Sequence, residues 1–181
     1  MAKLSSFKAG GNNILEQVSG ICDGSSVTVS SGTYTLPNVT TSQGLSTSYA
    51  DVTGSPLTYT PPAGTVAVLY EFQFQLSWSN DHCISHWKLF IDSTEVTDAR
   101  NTLAGRYIEN QFMLRWVFRI GDTADAAKGI VTSWDSGKEL KWQAREYGTS
   151  NGLDRVHLTQ YWDGGSSDEF SHPVLNIVAL K

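Results

Sequence analysis

Residues 66–78, VAVLYEFQFQLSW, alternate without a break: Val68, Tyr70, Phe72, Phe74, Leu76 and Trp78 fall on one face, Glu71, Gln73, Gln75 and Ser77 on the other. A period of two is the pattern of a strand with one buried side. One aromatic side chain hides on the order of 150 Å² or more of surface, so a face this rich in rings needs a second apolar sheet opposite it. The reading is an all-β protein: a two-sheet antiparallel β-sandwich.

The same period recurs outward from that strand. Residues 112–120 place Phe112, Leu114, Trp116, Phe118 and Ile120 inward and Met113, Arg115, Val117 and Arg119 outward. Residues 138–147 turn Leu140, Trp142 and Ala144 inward and Lys141, Gln143 and Arg145 outward. Residues 84–91, with Trp87, Leu89 and Ile91 on one face, lead through Asp92-Ser93-Thr94 into a short strand at 95–97, a hairpin. Further strands are expected at 14–22, 34–40, 46–52, 57–60, 153–162 and 174–180, the fourth stopped by Pro61-Pro62. Residues 23–32 read as irregular chain, 121–129 as a loop too short for a stable helix, and 98–111 and 163–173 as long connections. Fixed-period repeats are absent, which argues against propellers and solenoids. Irregular spacing with long crossings suits a jelly roll; the two cysteines do not bracket a central Trp as an immunoglobulin-type sandwich requires.

At 181 residues, the chain is long enough for a single sandwich domain whose core needs no metal or disulfide. Residues 1–13 are too sparse in apolar side chains to join that core and read as an extended N-terminal arm; residues 14–181 form the domain. Only 17% of residues are charged, so the outer faces are covered by Ser, Thr, Gln and Asn, which pack well against other protein. A net charge of −5 repels a phosphate backbone, and no nucleic-acid partner is expected. The N-terminus lacks a secretory apolar run and no stretch approaches the ~20 apolar residues of a membrane span, so synthesis in the cytoplasm without membrane contact is expected. Cys22 and Cys83 are compatible with free, buried or paired thiols, and free is the expectation.

Candidate chemistry is thin. Asp81-His82-Cys83 with His86 is the one local cluster resembling a metal site, but on a strand the two His share a face that Cys83 does not, and a polar loop entering a strand is the better reading. Asp122 with Asp125, and Asp163 with Asp168 and Glu169, read as solvated acidic loops; neither set matches an EF-hand. There is no G-x-S-x-G, and the four His, at 82, 86, 157 and 172, adjoin no catalytic motif. Glu71, Glu109, Glu139, Glu146 and Glu169 form no acid pair that sequence can assemble. Gly10-Gly11 opens no phosphate-binding helix, and the sequon Asn38-Val39-Thr40 is read as coincidence. No enzyme, metal or cofactor is expected. The aromatics free to meet a glycan or a partner are Trp134, Tyr147, Tyr161 and Trp162, in loops WDSGK, REYGTSNG and YWDGG.

Four segments carry a resemblance: YADVTGSPLTYTPPAGTVAVLYEFQFQLSW, KLFIDSTEVT, WDSGKELKWQAREY and YWDGGSSDEFSHPVLNIVALK. Together, across residues 47–181, they resemble virion surface proteins of tailed bacteriophages, marine ones especially, of the capsid decoration, head-fibre and tail-fibre-knob kind. The resemblance implies a jelly roll assembled as a trimer on the outside of the particle. The expected function is therefore that of a non-enzymatic decoration or cement protein that stabilises the head by binding the major capsid protein or another virion protein. Leu4, Phe7 and Lys8 of the arm are the expected anchors. The alternative is a fibre knob or adhesin that recognises a host-surface glycan.

Overall fold

The computed structural model describes residues 13–77, 83–105, 109–148, 154–161, 163–165 and 167–181, with the Cys83 side chain left out. In chain order the strands are β1 (Ile14–Ile21), β2 (Ser26–Val29), β3 (Gly32–Thr35), β4 (Gln43–Gly44), β5 (Ala50–Asp51), β6 (Leu57–Tyr59), β7 (Ala67–Ser77) and β8 (Cys83–Ile91). They continue with β9 (Thr94–Gly105), β10 (Glu109–Ile120), β11 (Ile130–Val131), β12 (Lys138–Glu146), β13 (Arg155–Val156), β14 (Leu158–Tyr161), β15 (Ser167–Phe170) and β16 (Val174–Leu180). Among the described residues the only helical element is one 3₁₀ turn, Ala126–Lys128.

One large sheet runs β1-β16-β7-β10-β11, with β13 added to β7 and β4 to β13; a second runs β5-β12-β8-β9, with β6 added to β12. The β2–β3 and β14–β15 pairs are separate hairpins. The β10–β11 ladder is parallel and the other described ladders are antiparallel. The chain is thus all-β and mostly antiparallel, as its alternation predicts.

The deciding strand lies between β16 and β10, and its inward row, Val68, Tyr70, Phe72, Phe74 and Leu76, is at most 1% exposed. The second sheet answers with Trp87, Leu89, Leu140, Trp142 and Ala144, all equally buried. The two rows meet where the Phe74 and Trp87 rings stack at 4.8 Å between centroids. Between the sheets the Tyr70 hydroxyl donates to Ser55 O (2.6 Å), and Ser55 Oγ accepts the Trp142 backbone N–H (3.1 Å). Gly54 is required beside this seam, because at φ +84° a Cβ would lie 2.7 Å from Pro173 Cγ. Cys22 is a buried free thiol that donates to Gly54 O at 3.4 Å, and burial pushes its pKa up to about 12, which keeps it inert.

Several boundaries differ from the sequence reading. Part of the irregular stretch 23–32 is the hairpin β2–β3, turned through Ser30-Ser31, and the strand expected at 34–40 ends at Thr35, ahead of Pro37. The strand expected at 46–52 shrinks to β5. The strand expected to stop at Thr97 continues to Gly105, so 98–111 is not a long connection. Its interruption is a bulge: Trp87 pairs with Asn101 and Leu89 with Val96, so β9 takes five steps where β8 takes two. Arg100 and Lys88 clamp the bulge from both sides through Glu95, at 2.6 and 3.2 Å. The connection 163–173 contains β15, which returns along β14. Ser77, expected to face outward, is buried and donates to Glu109 Oε1 (2.8 Å), while Glu109 Oε2 accepts the Gln160 N–H (2.9 Å), docking β14 against β10 and β7.

Candidate functional site

The outward face of the second sheet gathers the polar aromatics. Alternation in β12 sends Arg145 and Gln143 out once Ala144 and Trp142 are turned into the core. Register then sets their neighbours: Arg145 lies opposite His86, His86 opposite Thr102, and Gln143 opposite both Lys88 and Asp51. Tyr49, just before β5, lies over this row, with Lys88 Nζ 4.5 Å and Arg145 Cζ 5.4 Å from its ring centroid. Tyr147 extends the β12 ladder by donating its N–H to Ile84 O (2.8 Å), and its ring meets that of His86 edge-on at 6.0 Å. The result is a patch of Tyr49, His86, Arg145 and Tyr147, with Tyr147 67% exposed.

Charges are matched on one side of this patch and unmatched within it. Lys141 pairs with Asp51 (3.1 Å) and Glu139 (2.9 Å), and Glu95 binds both Lys88 and Arg100. Among the described residues the Arg145 guanidinium makes one long bond, Nη1 to Thr47 O at 3.5 Å, and its buried Nε has no hydrogen-bond partner. No carboxylate is paired with Arg145 among the described residues. Such a surface can hold flat, hydroxylated or anionic groups by ring contact and charge.

Of the aromatics singled out from sequence, Tyr147 belongs to this patch. Trp134 does not: it is 4% exposed, donates from Nε1 to Tyr59 O (2.9 Å) and packs edge-on against Phe118, so it is a core residue and presents no ring to a ligand. Tyr161 is exposed on the β14–β15 hairpin, carried by the other large sheet. Trp162, the anchors Leu4, Phe7 and Lys8, and Asp81 and His82 lie outside the described residues, as does the Cys83 side chain. Three carboxylates of the acidic loops are paired with neighbouring cations: Asp122 with Arg119, Asp125 with Lys128 (2.6 Å) and Asp168 with Arg155 (2.7 Å). Among the described residues no three His, Cys, Asp or Glu side chains come together as metal ligands. The sequence reading singles out neither Tyr49 nor Arg145 as site residues and weighs His86 only as a metal ligand; the signal available is the β12 alternation, which turns Arg145 outward without naming its neighbours.

Behind the patch, Glu146 and Asp154 are buried together, at 2% and 1% exposure. Burial, and then the charge of Asp154, pushes the Glu146 carboxyl up to about 7, with the Asp154 N–H partly opposing. His157, fully buried and at φ 65°, faces Thr53 O with Nε2 at 2.8 Å, which fixes the proton on Nε2; burial lowers its pKa to about 4. The two groups act on stability with opposite sign. Between pH 4.5 and about 7, native Glu146 holds a proton the unfolded chain has released, so its contribution falls as pH rises. Between pH 6.5 and about 4, the unfolded chain protonates His157 and the native protein does not, so that contribution falls as pH drops. The slopes oppose one another across the shared window, and removing one should expose the other. Glu146→Gln is expected to lose on the order of 2 kcal/mol between pH 6.5 and 5, while the parent protein changes little and His157→Asn gains on acidification. Urea melts at the two pH values measure this, and parallel profiles for all three proteins contradict it.

No known protein family's sequence profile matches the chain, and no curated protein is similar to it in sequence.

Proposed function

We propose that this protein is a non-enzymatic structural component of a tailed-phage virion, a jelly-roll sandwich that binds the capsid exterior as a trimeric decoration protein. The observation that carries the reading is the outward face of the first large sheet. There, register lines up Gln17, Val178, Leu69 and Val117 across four strands, and Ile21, Val174, Gln73 and Met113 line up beyond an intervening polar row of Ser19, Asn176, Glu71 and Arg115. Met113 and Val117 are 52% and 46% exposed, Ile14 and Ile21 50% and 49%, and a shallow depression of about 530 Å³ lies between Leu69, Arg115, Trp116 and Val117. Exposed apolar side chains set among neutral polar ones on this face are what a decoration protein would cover with its own copies and with the shell. Chain crossings from β7 to β8, β9 to β10 and β11 to β12, each between the two large sheets, support the jelly-roll topology.

Contacts of roughly 800 Å² per partner, repeated around a trimer, would hold the particle together by multiplicity. Val117→Asp is expected to leave the isolated fold intact, since the side chain is half exposed, but to abolish trimerisation and shell binding. Deleting residues 1–13 is expected to remove shell binding alone. Light scattering and co-sedimentation with undecorated shells read both effects; decorated and bare shells that melt at the same temperature overturn the role.

The patch of Tyr49, His86, Arg145 and Tyr147 favours a second reading, a fibre knob or adhesin that meets a glycan on the host surface.

A further inference from the structure

We infer that this patch is a binding site for acidic saccharides, with Arg145 receiving a uronate or sulfate group and Tyr147 receiving the apolar face of the sugar ring. The inference rests on the second reading above and narrows its ligand to one chemical class. Arg145 is half-buried, has its Cζ 5.4 Å from the Tyr49 ring centroid, and makes one guanidinium hydrogen bond among the described residues, at the long distance of 3.5 Å. A planar oxyanion is the group that satisfies a guanidinium fork best. The nearby carboxylates cannot serve, because Asp51 is held by Lys141 and Gln143 and Glu95 by Lys88 and Arg100.

The rest of the patch supplies what a sugar needs beyond its charge. Tyr147 stands two residues from Arg145 on the same face, about 7 Å along the strand direction, so one saccharide can reach both side chains. His86 lies beside both, with Nδ1 engaged by Thr102 Oγ1 (3.1 Å) and Nε2 left for a hydroxyl. A neutral glycan would use the Tyr147 ring and leave the Arg145 fork unfilled. Specificity for acidic chains follows from that difference rather than from stacking.

Calorimetry on the isolated full-length protein tests this with an oligouronate hexasaccharide from alginate and, as the neutral counterpart, maltohexaose. The expected result is binding of the oligouronate alone, weakened about tenfold or more by Tyr147→Ala, by Arg145→Gln and by about 0.5 M salt, but unchanged by Tyr161→Ala. Because Tyr147 is exposed, Tyr147→Ala keeps the test valid even if Arg145→Gln lowers stability. Equal binding of maltohexaose overturns the acidic specificity and leaves the glycan reading standing. Oligouronate binding indifferent to both patch variants overturns the site, and binding of neither sugar overturns the inference together with the adhesin reading.

Discussion

Trp87→Ala is expected to cost about 4 kcal/mol of stability, because no single side chain does more to join the two large sheets. Its ring is 1% exposed and stacks on Phe74 at 4.8 Å with an interplanar angle of 26°. Phe74 in turn stacks on Phe72 at 5.2 Å and lies 6.2 Å from Phe112, so the Trp87 contact is the second sheet's entry into a ladder of rings on the first. Its indole N–H donates to Ser85 Oγ (3.0 Å), and Ser85 is itself fully buried, so truncation leaves both a large cavity and an unpaired hydroxyl. Trp87→Phe keeps most of the ring contact and loses the bond, with about 1–2 kcal/mol expected. Met113→Ala, half exposed on the outer face, should be close to neutral in the isolated chain. Urea unfolding followed by near-ultraviolet circular dichroism gives all three values; a cost below about 1 kcal/mol for Trp87→Ala contradicts a core shared in this way.

The order of those effects explains which parts of the fold could be read in advance. Where a strand is long and one face is buried, the chain must alternate, and β7, β8, β10 and β12 announce their existence and, Ser77 at the end of β7 excepted, which side chains turn inward. Short elements held by remote partners announced neither. The β2–β3 turn is Ser30-Ser31, ordinary loop composition, and both serines are fixed by a carboxylate on β1. The break at 97–100 reads as a loop end because nothing local shows that the strand resumes beyond its bulge. His157 takes a left-handed conformation that splits β13 from β14, which is why the alternation over 153–162 is imperfect. The aromatic patch is half legible for the same reason: alternation turns Arg145 outward, but register alone brings Tyr49 and His86 beside it. Trp134 was misplaced by its loop-like neighbours Asp135-Ser136-Gly137, whereas Phe118 and Tyr59, distant in sequence, bury it.

The carboxylate that fixes that turn, Glu16, sets the second large effect: Glu16→Ala is expected to cost about 3 kcal/mol or more. In β1 the inward positions are Glu16 and Val18, so a charged residue occupies a place the alternation reserves for an apolar one. It is kept there by four donors: Ser30 Oγ at 2.6 Å, Ser31 N–H at 3.0 Å, Ser31 Oγ at 2.5 Å and Tyr59 Oη at 2.7 Å. Burial alone pushes its pKa up, but the bonds from Ser30, Ser31 and Tyr59 together outweigh it and hold the carboxyl below the usual range. A lowered native pKa means the contribution is complete above pH 4.5 and is lost as pH falls through the native value. Glu16→Gln places an amide N–H₂ among donors and should recover only part of the loss. Paired with Tyr59→Phe in a double-mutant cycle, Glu16→Ala should show a coupling of about 1–2 kcal/mol at pH 7 that shrinks below pH 4.5 as the parent carboxylate takes up its proton. A coupling near zero at pH 7 would mean that the carboxylate does not tie β1 to β6, and that the β2–β3 hairpin is held by its own ladder alone.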